Sequence, residues 1–329
     1  MKGKTMKKLP ITLIIDDPSP IVSVYYSHAA KRTTADGRPL IKHYPTSFLK
    51  DFCDVIEKRG IMGKFSIVPA PGNYGDIVNG IEGISMDEMH EWLEIAKSRV
   101  APQFDIGPEM LTHNKAVDLA TGKALEMREC DWATTQNFET LTPYISKALS
   151  ILKEAGFECT GVTSPWDFGI QVEEEYVRAI SQAMFDVYGK KNAWYFLHVL
   201  RNNPNIKPWV AYDDGDRCVV SIPSATDDVF WQTINCASTD DEYVSSVADQ
   251  LITADGKRGQ LIETLETGGY PMFHTHWQSL CSNGLFTGLR ALDEVGKRIN
   301  EHLSDRVEWM KVSDVMQLVL SDKAAYPKR

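Results

Sequence analysis

The chain has 329 residues, of which 43% are hydrophobic and 24% charged, ordinary proportions for a globular protein. Its net charge of −10 repels phosphate backbones and anionic membranes, which argues against nucleic acid and membrane surfaces as partners. The six cysteines (Cys53, Cys130, Cys159, Cys218, Cys236 and Cys281) are scattered and form no C-x-x-C pair, which argues against a zinc ribbon and a disulfide-stapled secreted scaffold, and buried free thiols are expected. The N-terminus is basic and then briefly apolar. The run Ile11–Ile15 is too short for a signal-peptide core, and nothing approaches a membrane span of ~18 residues, so a cytoplasmic protein is expected.

Elements alternate along the chain. Ile11–Ile15 is a continuous apolar run, as in a strand buried on both faces. After a Pro- and Tyr-rich loop, PTSFLKDFCDVIEKRG reads as a helix capped by Thr46 or Ser47, with Phe48, Phe52 and Ile56 on one face and Gly60 as its stop. GKFSIVP is a strand, MDEMHEWLEIAKSR a helix and QFDIG a third strand, followed by a long loop from Pro108 to about Asn137. FETLTPYISKALSILKEAG, VEEEYVRAISQAMFDVYG, DDEYVSSVADQLI and RGQLIETLET read as helices. CTGVTS, AWYFLHVL, RCVVSIPS and YPMFHTH read as strands. A long helix LFTGLRALDEVGKRINEHL and a last strand–helix pair, VEWMKVSDVMQLVL, close the chain. Repeated strand–helix units predict an α/β fold, an incomplete or distorted (β/α)7-8 TIM-like barrel with parallel strands and outer helices. No domain boundary is visible over residues 1–329, apart from a small β insertion that residues 202–232 could form.

In such barrels the chemistry sits on the loops that follow the strands. Asp16 and Asp17 follow the first strand, Glu109 and His113 the third, and Trp166 and Asp167 the fourth. Asp227, Asp228 and Trp231 follow a later strand, and His274 and His276 end the late one. Of two adjacent carboxylates, one can bind a divalent metal while the other acts as a base, although either could equally cap a loop or helix. Glu109 and His113 share a face if the backbone turns helically there, and with Asp17 they make a facial triad suited to Zn²⁺ and also to Fe²⁺, Co²⁺, Mn²⁺ or Ni²⁺. The competing reading is a first-turn glutamate and a histidine bonded to backbone. His274 and His276 point to the same side of a strand, so at least one is a candidate general acid. Trp166, Trp231 and Trp277, with Asp167 and His276, are candidate substrate contacts, since indole faces stack on sugar rings; tryptophan is also ordinary core filler. There is no P-loop, no strand–G-x-G-x-x-G–helix unit and no G-x-S-x-G elbow, so nothing points to a nucleotide, a flavin or a serine nucleophile.

In order and spacing these motifs resemble the polysaccharide deacetylase (NodB homology) superfamily, over residues 11 to 320. LIIDD matches its buried first strand ending in Asp-Asp, and FDIGPEMLTH stands where the family has a His-x-x-x-His motif, with Glu109 replacing the first histidine. TSPWDFG resembles its Arg-x-Pro-aromatic loop without the arginine, and PMFH its late strand ending in histidine. The resemblance implies a metal-dependent hydrolase of amide or ester bonds acting on a small molecule or oligosaccharide. Asp16 would be its general base, Asp17, Glu109 and His113 its metal ligands and His274 its general acid. Two rivals remain: a glycoside hydrolase using two of Asp16, Asp167 and Asp228, and a catalytically silent carbohydrate-binding protein on the same scaffold.

Overall fold

The computed structural model describes residues 8–328; the basic residues 1–7 lie outside them. The first strand, β1 (Leu9–Asp16), is buried along nearly its whole length. Its odd residues Ile11, Leu13 and Ile15 pack outward, in the cluster that holds Phe48, Phe52 and Ile56 of α1 (Thr46–Arg59). Ile14 joins a second cluster with Trp194, Phe196, Met272, Val312, Val315 and Val319. Both faces of the strand are therefore apolar, and the period-two rule assigns Asp16 to the same inner side as Ile14. The N-cap of α1 is Pro45, which makes no side-chain bond, in place of the expected Thr46 or Ser47, and Gly60 stops the helix at φ 66°.

Beside β1 lie β2 (Gly63–Ile67), β3 (Phe104–Pro108), β4 (Gly161–Thr163), β5 (Asn192–Phe196), β6 (Trp209–Asp213), β7 (Cys218–Ser221), β8 (Met272–His276) and β9 (Val307–Trp309). One sheet runs β8-β1-β2-β3 and another β6-β7-β5-β4. They meet at two seams. Glu109, just past β3, bridges Thr163 of β4, and the Ala225 N–H after β7 donates to the Met272 carbonyl of β8 at 2.8 Å. Among the described residues, seven parallel strands thus circle a distorted α/β barrel, with helices such as α2 (Met86–Ile95), α3 (Phe138–Glu154), α4 (Glu173–Tyr188) and α5 (Thr287–His302) around it. Strand β9 pairs with the first residues of β1.

The stretch expected to form a small β insertion supplies one antiparallel edge strand, β6; its neighbour β7 belongs to the barrel. Helix α6 (Val312–Ser321) contributes Val312, Val315 and Val319 to the inner cluster, and its Ser313 N–H is held by Asp105 at 2.5 Å. The long loop after β3 contains a hairpin of Lys115–Asp118 with Lys123–Arg128 and a short helix, Glu129–Ala133. The hairpin's second strand is mostly exposed, so it carries no apolar alternation by which sequence could reveal it. Five of the cysteines are buried, Cys236 is half-buried, and all six are free thiols. Among the described residues no helix is long and apolar enough to cross a membrane.

Candidate metal centre

The ends of β1, β3 and β8 open into a cavity of about 470 Å³ lined by Asp16, Asp17, Glu109, His113, His274 and His276, with Trp166, Trp231, Asp228 and Gln278 also on its wall. Consecutive residues of a regular strand point to opposite faces, so Asp16 and Asp17 would not both reach this cavity if β1 simply continued. Asp17 has φ 68°, and this left-handed step brings both carboxylates to it. Asp is among the residues that tolerate such a step best. Further positive φ values gather here, at Met110 (41°), His113 (52°) and Trp166 (50°). Strained backbone at a cleft is where function is commonly found.

Asp17, Glu109 and His113 each offer a ligand atom, and these atoms lie within 4.8 Å of one another. His113 Nε2 is 2.7 Å from Asp17 Oδ1 and 3.5 Å from Glu109 Oε1. The Asp17 N–H donates to Glu109 Oε2 at 2.5 Å, and Gln278 Nε2 donates to Asp17 Oδ2. The helical turn expected across Glu109–His113 is not what joins that pair. Glu109 continues the strand, its N–H bonded to Ile67, and the chain then reverses through the two left-handed residues Met110 and His113.

Burial, then the charges of Asp17 and Asp16, push the Glu109 carboxyl up to about 8. Burial opposes the charged form of His113, but Asp17 and Glu109 together outweigh it and hold the imidazole pKa well above its ordinary value. Burial likewise works against the Asp17 charge, and His113 overcomes it, leaving that carboxyl well below the usual range. Three carboxylates crowded in a low-dielectric site repel one another, and a divalent cation relieves that repulsion. His113 Nδ1 and Gln278 Oε1 are buried without a hydrogen-bond partner among the described residues, and Asp17 Oδ1 has only the close approach of His113 Nε2. Two hard oxygen donors and one imidazole, with polar valences left over, fit a divalent metal.

The other expected residues divide. Asp16 lies beside the triad, and its carboxylate pairs with Lys64, a lysine with 0% exposure on β2. Lys64 Nζ also donates to Ser66 Oγ at 2.5 Å and Thr163 Oγ1 at 2.7 Å. His274 bonds Ser224 Oγ through Nδ1 at 2.9 Å, and burial, followed by the charge of His276, lowers its pKa. His276 bonds Asp228 Oδ2 through Nδ1 at 2.8 Å. Burial opposes its charge, but the Asp228 hydrogen bond and the Asp17 charge raise its pKa to about 9. Trp166 (37% exposed) and Trp231 stand on the wall, the latter with its ring centroid 5.0 Å from that of His276.

Two expectations fail. Trp277 is fully buried, 4.3 Å from the Phe48 ring and 5.3 Å from those of Phe52 and Phe65, so it is core filler and cannot stack on a substrate. Asp167 is exposed and is not part of the cavity wall.

Sequence reasoning missed Lys64, His28, Gln278 and Glu129. Lys64 did leave a signal, a lysine in the middle of a buried strand, which needs a buried partner. His28 lines the cavity from the end of the short helix Val24–His28 that follows β1, with its ring stacked 5.4 Å from that of His113; burial and the charge of His113 depress its pKa to about 4. Gln278 and Glu129 sit on short helices in stretches that carry no recognisable motif.

No protein-family model matches the chain, and no curated protein matches it by sequence. Among solved structures, a protein described as a polysaccharide deacetylase from Mycobacterium smegmatis superposes with a TM-score of 0.53 at 12% identity, over 97% of this chain and 93% of that one. A 4-alpha-glucanotransferase from Thermococcus litoralis (TM-score 0.46, 12% identity, 94% of this chain and 40% of that one) and a CE4 family pseudoenzyme (0.39, 10%, 99% and 70%) also match. At these identities the likeness is one of fold, and the fold this chain shares is that of the TIM-like barrels.

Proposed function

We propose that this chain is a metal-dependent hydrolase of amide or ester bonds, of the polysaccharide deacetylase type, acting on a small molecule or oligosaccharide. The observation that carries this reading is the meeting of Asp17, Glu109 and His113 within 4.8 Å of one another, in the cavity that also holds Asp16, His274 and His276. The full-length match in fold to the Mycobacterium smegmatis protein supports it.

A divalent ion, Zn²⁺ or a first-row relative, held by those three residues would supply Lewis acidity, polarising a carbonyl and making a water more acidic. Asp16, fixed by Lys64, accepts the proton of the attacking water. The leaving amine or alcohol takes its proton from the histidine pair, where the resemblance assigns the role to His274 and where the Asp228 hydrogen bond favours the charged form of His276. Trp166 and Trp231 offer apolar faces to a sugar ring. A glycoside hydrolase would need two carboxylates flanking the scissile bond. That reading has less support, because Asp167 is off the cavity and Asp228 is engaged by His276 and by Ser279 Oγ at 2.8 Å.

Inductively coupled plasma mass spectrometry on the purified protein should find one divalent ion per chain, absent from Asp17→Ala and His113→Ala. Chelation should abolish hydrolysis in a screen of acetylated sugars and small amides. Full occupancy in both variants, or hydrolysis that survives chelation, would overturn the assignment.

A further inference from the structure

The segment Met110–His113 delivers His113 to the centre through two left-handed residues, of which Met110 is a residue type that rarely adopts that conformation. Its backbone N–H groups of Leu111, Thr112 and His113 converge on one side chain. Glu129 Oε1 accepts from Leu111 at 3.1 Å and from Thr112 at 2.9 Å, and Glu129 Oε2 accepts from His113 at 2.7 Å. Tyr144 adds its hydroxyl to Oε1 at 2.6 Å. Glu129 has 0% exposure and reaches the loop from the short helix Glu129–Ala133 beyond the hairpin. Its own N–H is bonded to the Asn114 carbonyl at 2.9 Å, which ties that helix back to the same loop.

Successive N–H groups turned to one side form a concave nest that binds an anion. Here the chain supplies its own anion, and all four donors address a carboxylate that accepts with both oxygens. We infer that Glu129 is a positioning residue for the metal centre, its carboxylate filling the nest of residues 111–113 and so fixing the strained backbone that aims His113 at Asp17. This rests on the metal reading above. Groups outside the coordinating set that orient a ligand typically change metal affinity about 10–100-fold when removed.

The test is Glu129→Gln. The amide retains one oxygen for Leu111, Thr112 and Tyr144 but turns an N–H₂ toward the His113 N–H, so the bond to the ligand's own backbone is the one lost. Co²⁺ titration of metal-free protein should show binding weakened about 10-fold or more, with an altered visible absorption spectrum. A role in stability alone would lower the melting temperature while leaving the Co²⁺ spectrum of the folded protein unchanged, and that result overturns the inference. Tyr144→Phe keeps Glu129 and removes one of the three donors to its Oε1. It should weaken Co²⁺ binding by a smaller factor, and it serves if Glu129→Gln does not fold; a wild-type affinity and spectrum in Tyr144→Phe would then overturn the inference. If the unaltered protein binds no Co²⁺, the metal reading falls and this inference with it. If the unaltered protein binds and Glu129→Gln binds equally, only the inference falls.

Discussion

Replacing Lys64 with methionine isolates the energetics of the charged pair at the heart of the barrel. The ammonium has 0% exposure, and its three donors are all engaged, by Asp16 Oδ1, Ser66 Oγ and Thr163 Oγ1. It also lies 4.7 Å from the centroid of the Phe196 ring. Methionine fills similar volume, and Ser66 and Thr163 remain bonded to each other at 2.7 Å, so those hydroxyls are not orphaned. The loss therefore falls on Asp16, whose side chain is 7% exposed and which is left without its ion-pair partner. Breaking a buried pair from one side typically costs ~3–5 kcal/mol, and water entering the cavity beside Asp16 moves the expectation toward the lower end. Adding Asp16→Asn removes the stranded charge, so the double variant should recover most of the loss, with a coupling of about 2–3 kcal/mol. Guanidinium unfolding of the four metal-free species at pH 7 measures this cycle. A single variant within about 1 kcal/mol of the parent, or strictly additive effects, would refute the claim that Lys64 exists to hold Asp16.

The two classes of tryptophan should separate in the same assay. Trp277→Ala, in the aromatic cluster with Phe48, Phe52 and Phe65, should cost about 3–5 kcal/mol of stability. Trp166→Ala, at 37% exposure, should shift unfolding by about 0.5 kcal/mol or less while weakening oligosaccharide binding in isothermal titration calorimetry. Equal losses of stability would contradict the division between core and cavity wall. A third expectation concerns pH. The folded-state pKa of His276 is raised to about 9, so its contribution to the metal-free protein is complete below the unfolded value of about 6.5 and disappears as pH rises through 9. A shift of that size is worth on the order of 3 kcal/mol. Urea unfolding of the apoprotein at pH 6 and pH 9.5 should show stability falling across that window, with a shallower fall in Asp228→Asn. An apoprotein that holds or gains stability as pH rises would contradict the His276–Asp228 pairing.

Much of the fold was legible because a strand buried on both faces and an amphipathic helix leave distinct periods. Ile11–Ile15 became β1, and FETLTPYISKALSILKEAG became α3 within a residue or two of its ends. What escaped was structure whose cause is not periodic. The hairpin after β3 is held by backbone pairing among charged, exposed residues. Strand β6, Trp209–Asp213, falls in the stretch expected to hold a small β insertion, but at five residues it is too short for periodicity to set its bounds.

The site follows the same division for a sharper reason. Asp16, Asp17, Glu109, His113, His274 and His276 were legible because strand ends in a parallel barrel converge, so topology alone brings them together. Trp277 shows where that logic overreaches. A residue one step past a strand end can turn back into the helix layer as easily as toward the cavity, and Trp277 opens a helix that buries it. Glu129 and Gln278 show where it falls short, since both act on atoms already in the site. Gln278 bonds a carboxylate oxygen, and Glu129 bonds three backbone N–H groups that every residue type carries. A partner chosen for its backbone contacts leaves no complementary side chain elsewhere in the sequence to match it with. The groups that hold a site in shape are therefore harder to read than the groups that form it, and here Glu129 reveals itself only in the structure, as a buried carboxylate with both oxygens engaged.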